Sequence, residues 1–293
     1  MRSSEPDSEK KSGGGGPAPA FSVIVAANNE EHYIGACLSA LLAQTAEAGP
    51  LEIIVAANGC TDRTEAIVRE FEPKVAGRGW RLVLLSIPDS GKLLALNRAD
   101  AVAGPGPRAY LDADVLCDPD LFGQLRDTLA RDTAVYATGT LQVMRAKSWV
   151  TRCYADFWTR LPFVQGGAVG AGLFAVNPAG RARWGQFPQI ISDDTFVRLQ
   201  FAPTERVEVP AAYHWPMVEG FRNLVRVRRR QDAGGAEVYR HWPSLRGNED
   251  KVAVTTSLLA RLTLRAPVSF AIYALVAVTV RLRRSGAEWS RGR

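Results

Sequence analysis

The sequence predicts an α/β fold in which a Rossmann-like, mostly parallel central sheet is flanked by helices. From Phe21 onward, short apolar runs alternate with segments of helical periodicity. The short runs are mostly continuous apolar stretches without polar alternation, which is typical of parallel strands covered on both faces. Polar clusters also fall where these runs stop, and parallel α/β sheets bind ligands at the carboxyl ends of their strands.

The strands and helices alternate in a regular order. Strands are predicted at FSVIVAA (21–27), LEIIVAA (51–57), RLVLLSIP (81–88) and RAYLDAD (108–114). Helical spacing appears in HYIGACLSALLAQ (32–44), in the segment that starts near Asp62 and in the helix within 90–103. Asp118 followed by Pro119 predicts the start of another helix.

Length and composition suit one domain with extensions. The chain has 293 residues, 46% apolar residues and a net charge of +6, which suits one domain of about 200 residues with extensions, or two small domains. Residues 1–20 are charged and rich in Gly and Pro, so we expect a disordered tail there. No secretory signal pattern is present, and four scattered cysteines without a Cys-x-x-Cys pair predict free thiols in the cytoplasm.

The polar strand ends indicate a phosphate and metal site. They are Asn28–Glu30, Asn58–Gly59, Ser90–Lys92 and Asp112–Asp114. Asp112 and Asp114 are two residues apart, so both carboxylates can point to one place. Two such oxygen ligands suit Mg²⁺ or Mn²⁺, and Lys92 could bind a phosphate. The alternative is that the two aspartates cap the following turn.

Five segments together resemble the family 2 glycosyltransferases, which are inverting enzymes of the Asp-x-Asp type with the GT-A fold. In order, they are VIVAANNEE, IIVAANGCTDRT, SGKLLALNRA, YLDADVLCDPD and ISDDTFVRL, within residues 21–215. The resemblance implies inverting transfer of a sugar from a nucleotide-diphosphate donor to an acceptor hydroxyl. It implies a divalent cation on Asp112 and Asp114 that holds the donor diphosphate. It also implies donor-side positions for Asn29, Glu30, Asn58, Lys92 and Asn97.

The same resemblance gives candidates for catalysis. A carboxylate near the acceptor acts as general base in such a displacement, and Asp193 and Asp194 are the candidates; they could instead be ordinary first-turn residues of a helix. The glycine-rich segment 166–177 resembles an acceptor-side loop, with a tightly packed β-bend as the alternative. His214 is a candidate third metal ligand or a structural hydrogen-bonding residue. The segment Ala57–Cys60 departs from the common Asp-Asp-Gly-Ser turn, which leaves the donor base open.

The last third, residues 216–293, is predicted to be a basic and apolar helical extension. Five arginines lie within 221–235 and could contact pyrophosphate, anionic lipid or only solvent. Residues 266–280 are uncharged, but 15 residues give a helix of about 22 Å against about 30 Å of hydrocarbon. We therefore expect a helix on or in a membrane surface, with a buried helix as the alternative. This predicts a cytoplasmic protein that is peripheral to, or anchored in, the cytoplasmic membrane, with a lipid-linked or membrane-proximal acceptor.

Two other functions fit less of the sequence. An aspartyl-nucleophile phosphotransferase or phosphatase also uses a strand ending in Asp-x-Asp, but usually on its first strand, whereas here it is the fourth. A non-catalytic lipid or nucleic-acid binding protein would explain the positive charge. It would leave the ordered strand ends unexplained, so we expect no nucleic-acid partner.

Overall fold

A computed structural model describes residues 20–282, so all but the last residue of the predicted tail (1–20) lies outside the described residues. Eight strands form one sheet in the order β3-β2-β1-β4-β7-β6-β8-β5. Their bounds are β1 Phe21–Ala27, β2 Leu51–Asn58, β3 Arg81–Ile87, β4 Arg108–Asp112, β5 Leu116–Cys117, β6 Tyr136–Val143, β7 Leu173–Val176 and β8 Arg206–Trp215.

The sheet is parallel in the half that the sequence predicts. Strands β3, β2, β1 and β4 run parallel, and β6 runs parallel to β8. Strand β7 is antiparallel to both β4 and β6, and the short β5 is antiparallel to β8. The predicted mostly parallel sheet is therefore confirmed, with an antiparallel part added after Asp112.

Helices cover both faces of the sheet and form the C-terminal extension. Their bounds are α1 Ile34–Leu42, α2 Thr64–Glu70, α3 Glu72–Gly77, α4 Lys92–Asp100, α5 Leu121–Leu129, α6 Trp149–Trp158, α7 Pro178–Arg181, α8 Asp193–Arg198, α9 Phe221–His241, α10 Thr256–Arg265 and α11 Pro267–Leu282. The extension is helical, as predicted.

The core explains why the central strands have continuous apolar runs. Val23 and Val25 of β1 pack into a cluster on the side of α1 and α5. Ile24, between them, packs into a second cluster on the side of α4 and α8. All three side chains are fully buried, because successive residues of a strand point to opposite faces and here both faces are covered.

The predicted helix start at Asp118 is wrong, because α5 begins at Leu121. The backbone N–H of Asp118 donates to the carbonyl of Ala212 at 3.0 Å. Its carboxylate contacts His214 of β8, with 2.8 Å between Asp118 Oδ1 and His214 Nε2. Asp118 therefore continues the pairing of β5 with β8, and this long-range contact outweighs the local capping preference.

The C-terminal helices pack on the rest of the molecule. Val276 and Val280 of α11 contact α6 and α9 in a separate apolar cluster. Leu262 of α10 joins another cluster around Phe157 at the end of α6. Within residues 20–282, no helix has both the length and the apolar character needed to cross a bilayer.

Candidate functional site

The loops after β1 and β2 are joined by hydrogen bonds. Asn29 has a positive φ of 54°, and its Oδ1 accepts from the backbone N–H of Thr61 at 2.8 Å. The N–H of Glu30 donates to Thr64 Oγ1 at 2.8 Å. These bonds cross between two chain segments about 30 residues apart, so they hold the two predicted nucleoside-side loops together.

Asn58 joins three parts of the sheet edge. Its side chain is buried, with 2% of the residue exposed. Its Nδ2 donates to the carbonyl of Ala27 at 2.9 Å, and its Oδ1 accepts from the N–H of Gly91 at 2.9 Å. A carboxylate could not donate to Ala27, which explains why this chain has Asn in a turn where Asp is common. Contact of Asn58 with a nucleoside remains a prediction.

The sequence indicates Asn28 only as part of a polar cluster, and the structure gives its side chain a further property. Its Nδ2 donates to the carbonyls of Asn58 and Gly59. Its Oδ1 is buried and has no hydrogen-bond partner among the described residues. Because buried polar atoms are nearly always paired in native proteins, this oxygen is suited to accept from a ligand N–H group.

Lys92 connects two predicted acidic motifs. It is the first residue of α4, and its Nζ lies 3.0 Å from Asp112 Oδ1 and 3.2 Å from Asp193 Oδ2. Burial by itself lowers the pKa of Lys92, but the carboxylates of Asp112, Asp193 and Asp194 raise it above the usual value. Lys92 is therefore a permanent positive charge between the end of β4 and the start of α8.

The Asp-x-Asp carboxylates lie at the end of β4 and stay accessible. The Asp112 side chain is 35% exposed, and Asp114, two residues later, is also partly exposed. The turn that follows is closed by the backbone, since the N–H of Val115 donates to the Asp112 carbonyl at 3.1 Å. The carboxylate of Asp112 is thus not needed to cap that turn and can face a ligand.

This pair suits a cation that also binds phosphate. In the described part of the chain, no three or more His, Cys, Asp or Glu side chains form a metal-binding group. His214 Nε2 contacts Asp118 Oδ1 at 2.8 Å, so its role as a metal ligand remains a prediction. Mg²⁺ is commonly held by one or two carboxylates, with water and substrate phosphates as the other ligands. Two carboxylates therefore suffice for such a cation.

Asp193 and Asp194 open α8 and differ in their surroundings. Asp193 is 6% exposed and contacts Lys92. Burial and the adjacent Asp193 carboxylate raise the pKa of Asp194 above its usual value, and Lys92 offsets part of this effect. Its Oδ1 accepts from the backbone N–H of Thr195 at 2.6 Å. The structure is compatible with both interpretations of this pair, as general-base candidates and as first-turn residues of a helix. Asp193 and Asp194 are the first two residues of α8, and this helix start lies beside Lys92.

Asn97 contacts a different segment from the Lys92 cluster, the name we give to Lys92 and the three carboxylates of Asp112, Asp193 and Asp194. Its Nδ2 donates to the carbonyl of Phe187 at 3.0 Å, and its Oδ1 accepts from the N–H of Phe187 at 2.7 Å. The side chain thus pairs with the backbone as a strand would and joins α4 to the segment before α8. A direct contact of Asn97 with the donor stays a prediction.

The glycine-rich segment approaches the Asp-x-Asp strand from the other side. The carbonyl of Gly172 accepts from the N–H of Asp112 at 2.8 Å. Gly172 has a φ of +78°, and a Cβ atom there would lie 2.8 Å from Trp215 and 2.9 Å from Val115. The close approach therefore requires glycine. Sequence reasoning missed two tryptophans next to this segment, Trp158 and Trp215, whose ring centroids are 6.1 Å apart. Their one signal in the sequence is an aromatic residue at the end of α6 and another at the end of β8.

Comparison with known proteins gives a consistent result. The model of the family described as glycosyl transferase family 2 matches residues 22–176. A search of curated proteins found no match. Among solved structures, a mannosyltransferase from Pyrobaculum calidifontis in complex with GDP-Man and Mn²⁺ is similar at 20% identity, with a TM-score of 0.58, over 92% of this chain and 77% of that one.

Two further structures have the same fold. TarS 1–349 from S. aureus in complex with UDP-GlcNAc has 13% identity and a TM-score of 0.52, over 89% of this chain and 80% of that one. Mannosyl-3-phosphoglycerate synthase from Rubrobacter xylanophilus has 17% identity and a TM-score of 0.51, over 81% of this chain and 78% of that one. The family match covers more than half of the chain, and the sheet, the strand-end acids and the solved structures agree with it: the chain belongs to glycosyl transferase family 2 and is a glycosyltransferase of the GT-A fold.

Proposed function

We propose that this glycosyltransferase moves a sugar from a nucleotide-diphosphate donor to an acceptor hydroxyl, with inversion and with the help of a divalent cation. The observation that carries the proposal is the Lys92 cluster, in which one ammonium group lies between Asp112 of the donor-side strand and Asp193 at the start of α8. It supports a single site in which the donor diphosphate lies next to the acids that act on the acceptor.

Asp112 and Asp114 would hold Mg²⁺ or Mn²⁺ at the donor diphosphate, with His214 as a further candidate ligand. When bound, the cation stabilises negative charge on the leaving diphosphate. The mannosyltransferase from P. calidifontis was solved with GDP-Man and Mn²⁺, which supports this choice of cation. Lys92 adds a second positive charge from the protein itself.

The nucleoside would lie over the joined loops after β1 and β2. Asn29, Glu30 and Asn58 form or support this surface, and Asn28 contributes the buried oxygen that lacks a partner. An amide oxygen can accept from an N–H of either uracil or guanine. The solved neighbours carry GDP-Man in one case and UDP-GlcNAc in another, so both nucleotides are reasonable probes.

Asp194 is the better of the two candidates for the general base. Asp193 is engaged by Lys92, so its carboxylate already has a charged partner within the protein. Asp194 has a raised pKa, and a raised pKa brings a carboxylate closer to what proton abstraction near neutral pH requires. In this proposal Asp194 takes the proton from the acceptor hydroxyl as that oxygen attacks the anomeric carbon opposite the diphosphate.

The acceptor would enter between the glycine-rich segment and the Trp158–Trp215 pair. Gly172 brings the backbone close to the Asp112 strand end, and the two indole rings form an adjacent wall. We propose that the acceptor is lipid-linked or lies near a membrane, because α6, which carries Trp158, is covered by the apolar helices α10 and α11.

The test is calorimetric titration of UDP and GDP, each with and without Mn²⁺. We expect wild type to bind one nucleotide only when Mn²⁺ is present. Asp114→Ala should weaken this binding by about tenfold or more, because it removes one of two protein ligands. Asp120→Ala is the matched control, since Asp120 is exposed and makes no side-chain capping bond. Absence of nucleotide binding under every condition would overturn the proposal.

A further inference from the structure

Exposed apolar side chains are concentrated in one part of the molecule. Ten large apolar side chains are exposed among the described residues, and seven of them lie between 252 and 282. The seven are Val252, Val254, Leu264, Val268, Leu275, Val278 and Leu282. A cluster of this kind marks an interaction surface, whereas scattered exposed apolar residues need no explanation.

On α11 the exposed residues form one continuous stripe. Val268, Ala271, Leu275, Val278 and Leu282 are all exposed and follow one another at intervals of three, four, three and four residues. This spacing places them on one side of a helix. We call these five residues the outer stripe.

The opposite side of α11 is already used by the fold. Tyr273 stacks on Tyr154 of α6, with 5.3 Å between ring centroids, and Val276 and Val280 are buried against α6 and α9. The helix is therefore apolar on both sides, and only one side is covered within the described residues. A helix of this composition needs a second apolar contact to remove the outer stripe from water.

A groove extends this surface onto α10. It has a volume of about 420 Å³ and is lined by Thr256, Leu259, Ala260, Thr263, Leu264 and Phe270. The leucines and the phenylalanine make it almost entirely apolar, and none of the residues that line it belongs to the Lys92 cluster. An open apolar groove suits a hydrocarbon chain better than a nucleotide or a free sugar.

The charge and composition around this surface distinguish its possible partners, which are a lipid bilayer, a second copy of the chain and the chain's own terminal segments. Residues 251–282 contain four basic residues and no acidic residue; three of the four are Arg261, Arg265 and Arg281, all exposed. A second copy docking through the same surface would bring these like charges together. Residues 1–19 and 283–293 each contain a single large apolar residue, Met1 and Trp289, so neither segment offers a matching apolar partner.

We propose that α10 and α11 lie in the surface of an anionic lipid bilayer, with the outer stripe toward the acyl chains and the arginines at the headgroups. Such an interfacial helix is buried by about 5–10 Å and is attracted by anionic lipid. The 16 residues of α11 span about 24 Å, which suits a helix lying along the surface.

This placement gives the bilayer a role at the proposed acceptor side, and in that respect it depends on the proposed function. Leu262 of α10 packs on Phe157, Leu161 and Val164, the segment that leads directly into the glycine-rich loop. A bilayer under α10 and α11 would therefore lie next to the entry for the acceptor. The hydroxyl of a membrane-bound acceptor could reach the site without leaving the lipid surface.

The experiment is flotation of the full chain with vesicles of phosphatidylcholine alone or with added phosphatidylglycerol. We expect wild type to bind the anionic vesicles at least about tenfold more tightly, and to lose this preference at high salt. Leu275→Glu and Leu264→Glu should each reduce binding by about tenfold or more, because burial of a leucine exceeds the 1.4 kcal/mol that equals a factor of ten. Val102→Glu is the matched control, since Val102 is 42% exposed and lies outside this surface.

The two proposals can fail separately. Nucleotide titration with Mn²⁺ on the same proteins reports the donor site, and thermal melting reports the fold. Nucleotide binding without vesicle binding would overturn the membrane proposal and leave the proposed function intact. Vesicle binding without nucleotide binding would overturn the proposed function and leave the membrane proposal intact. Equal loss of vesicle binding in Val102→Glu would overturn the assigned surface. A dimer that Leu275→Glu dissociates would make a second copy the occupant and would also overturn it.

Discussion

At the scale of single residues, the two adjacent acids of α8 have different surroundings, and we propose different roles for them. Asp193 is held by Lys92, whereas burial and the Asp193 carboxylate raise the pKa of Asp194. We expect Asp194→Asn to lower kcat by about 10²–10⁴-fold, the range for loss of a general base, with little change in the affinity for nucleotide. A base must be deprotonated to act, so wild-type activity should fall as the pH drops through the raised pKa of Asp194.

Steady-state kinetics across pH, together with nucleotide titration, would check this assignment. Asp193→Asn is the informative comparison, because it breaks the contact with Lys92 and should weaken donor binding as well as catalysis. If Asp193→Asn instead lowered only kcat, and Asp194→Asn lowered donor affinity, the two roles would have to be exchanged.

Lys92 also competes for the proposed metal ligand. Its Nζ is 3.0 Å from Asp112 Oδ1, so a cation bound at Asp112 must share that carboxylate with a positive charge or displace it. We expect Lys92→Met to bind Mn²⁺ more tightly than wild type in the absence of nucleotide, and to bind the nucleotide–Mn²⁺ pair more weakly. Titration of Mn²⁺ monitored by electron paramagnetic resonance separates the two effects.

A charge-preserving variant tests the same explanation. Lys92→Arg keeps the positive charge, so its affinity for Mn²⁺ alone should stay near that of wild type. A weaker affinity for Mn²⁺ in Lys92→Met would show that Lys92 supports the cation and does not compete with it.

At the scale of elements, α8 is held in place by the segment after α9. Arg198, at the end of α8, lies 2.6 Å from Glu249 Oε1 and 2.9 Å from Asp250 Oδ1. The hydroxyl of Tyr239 on α9 donates to Glu249 Oε2 at 2.5 Å. The helix that begins with Asp193 and Asp194 therefore has a fixed far end, which keeps both acids in register with Lys92.

This contact makes stability depend on pH in the acid range. Burial alone raises the pKa of Glu249, but hydrogen bonds from Tyr239 and Arg198 lower it from the ordinary 4.5 to about 2. A lowered folded-state pKa gives stability that is present above pH 4.5 and is lost as the pH falls toward 2. Glu249→Gln should therefore cost about 2 kcal/mol of unfolding free energy at pH 7.

Urea unfolding at several pH values would measure this cost. The difference between wild type and Glu249→Gln should shrink between pH 4.5 and 2, because wild type loses the same interaction there by protonation. Glu72→Gln, at an exposed position of α3, is the control and should change stability by less than about 0.5 kcal/mol. A constant difference at all pH values would mean that Glu249 does not act through its charge.

Sequence was sufficient for the first four strands and insufficient for β5, β6 and β7 and for the contacts between loops. These four strands could be predicted because a parallel strand covered on both faces is apolar at nearly every position, and the position of Asp112 and Asp114 at a strand end could be predicted because they close such a run. The pairing of Lys92 with Asp193, and of Asp118 with His214, could not be predicted, since these residues are about 100 positions apart along the chain and only the fold brings them together.

The amide residues show the same limit. The family resemblance implies donor-side positions for both Asn58 and Asn97. In the structure, each side chain forms hydrogen bonds with backbone atoms of a neighbouring segment. From sequence, an asparagine that binds a ligand and one that supports a loop look identical. The chemistry of the residue type was predictable, whereas its partner was not.

At the scale of the whole molecule, the C-terminal helices belong to the folded unit and also carry its apolar surface. Val276 is fully buried against α6 and α9, and Val278, two residues along the same helix, is 49% exposed on the outer stripe. Val276→Ala should lower the unfolding free energy by about 2 kcal/mol, while Val278→Ala should change it by less than about 0.5 kcal/mol. Only Val278→Ala should weaken vesicle binding without loss of stability. Chemical unfolding of both variants, followed by flotation, separates the two sides of α11. Equal losses of unfolding free energy in the two variants would mean that α11 does not pack on α6 in solution. In that case α11 could not couple the bilayer to the acceptor side.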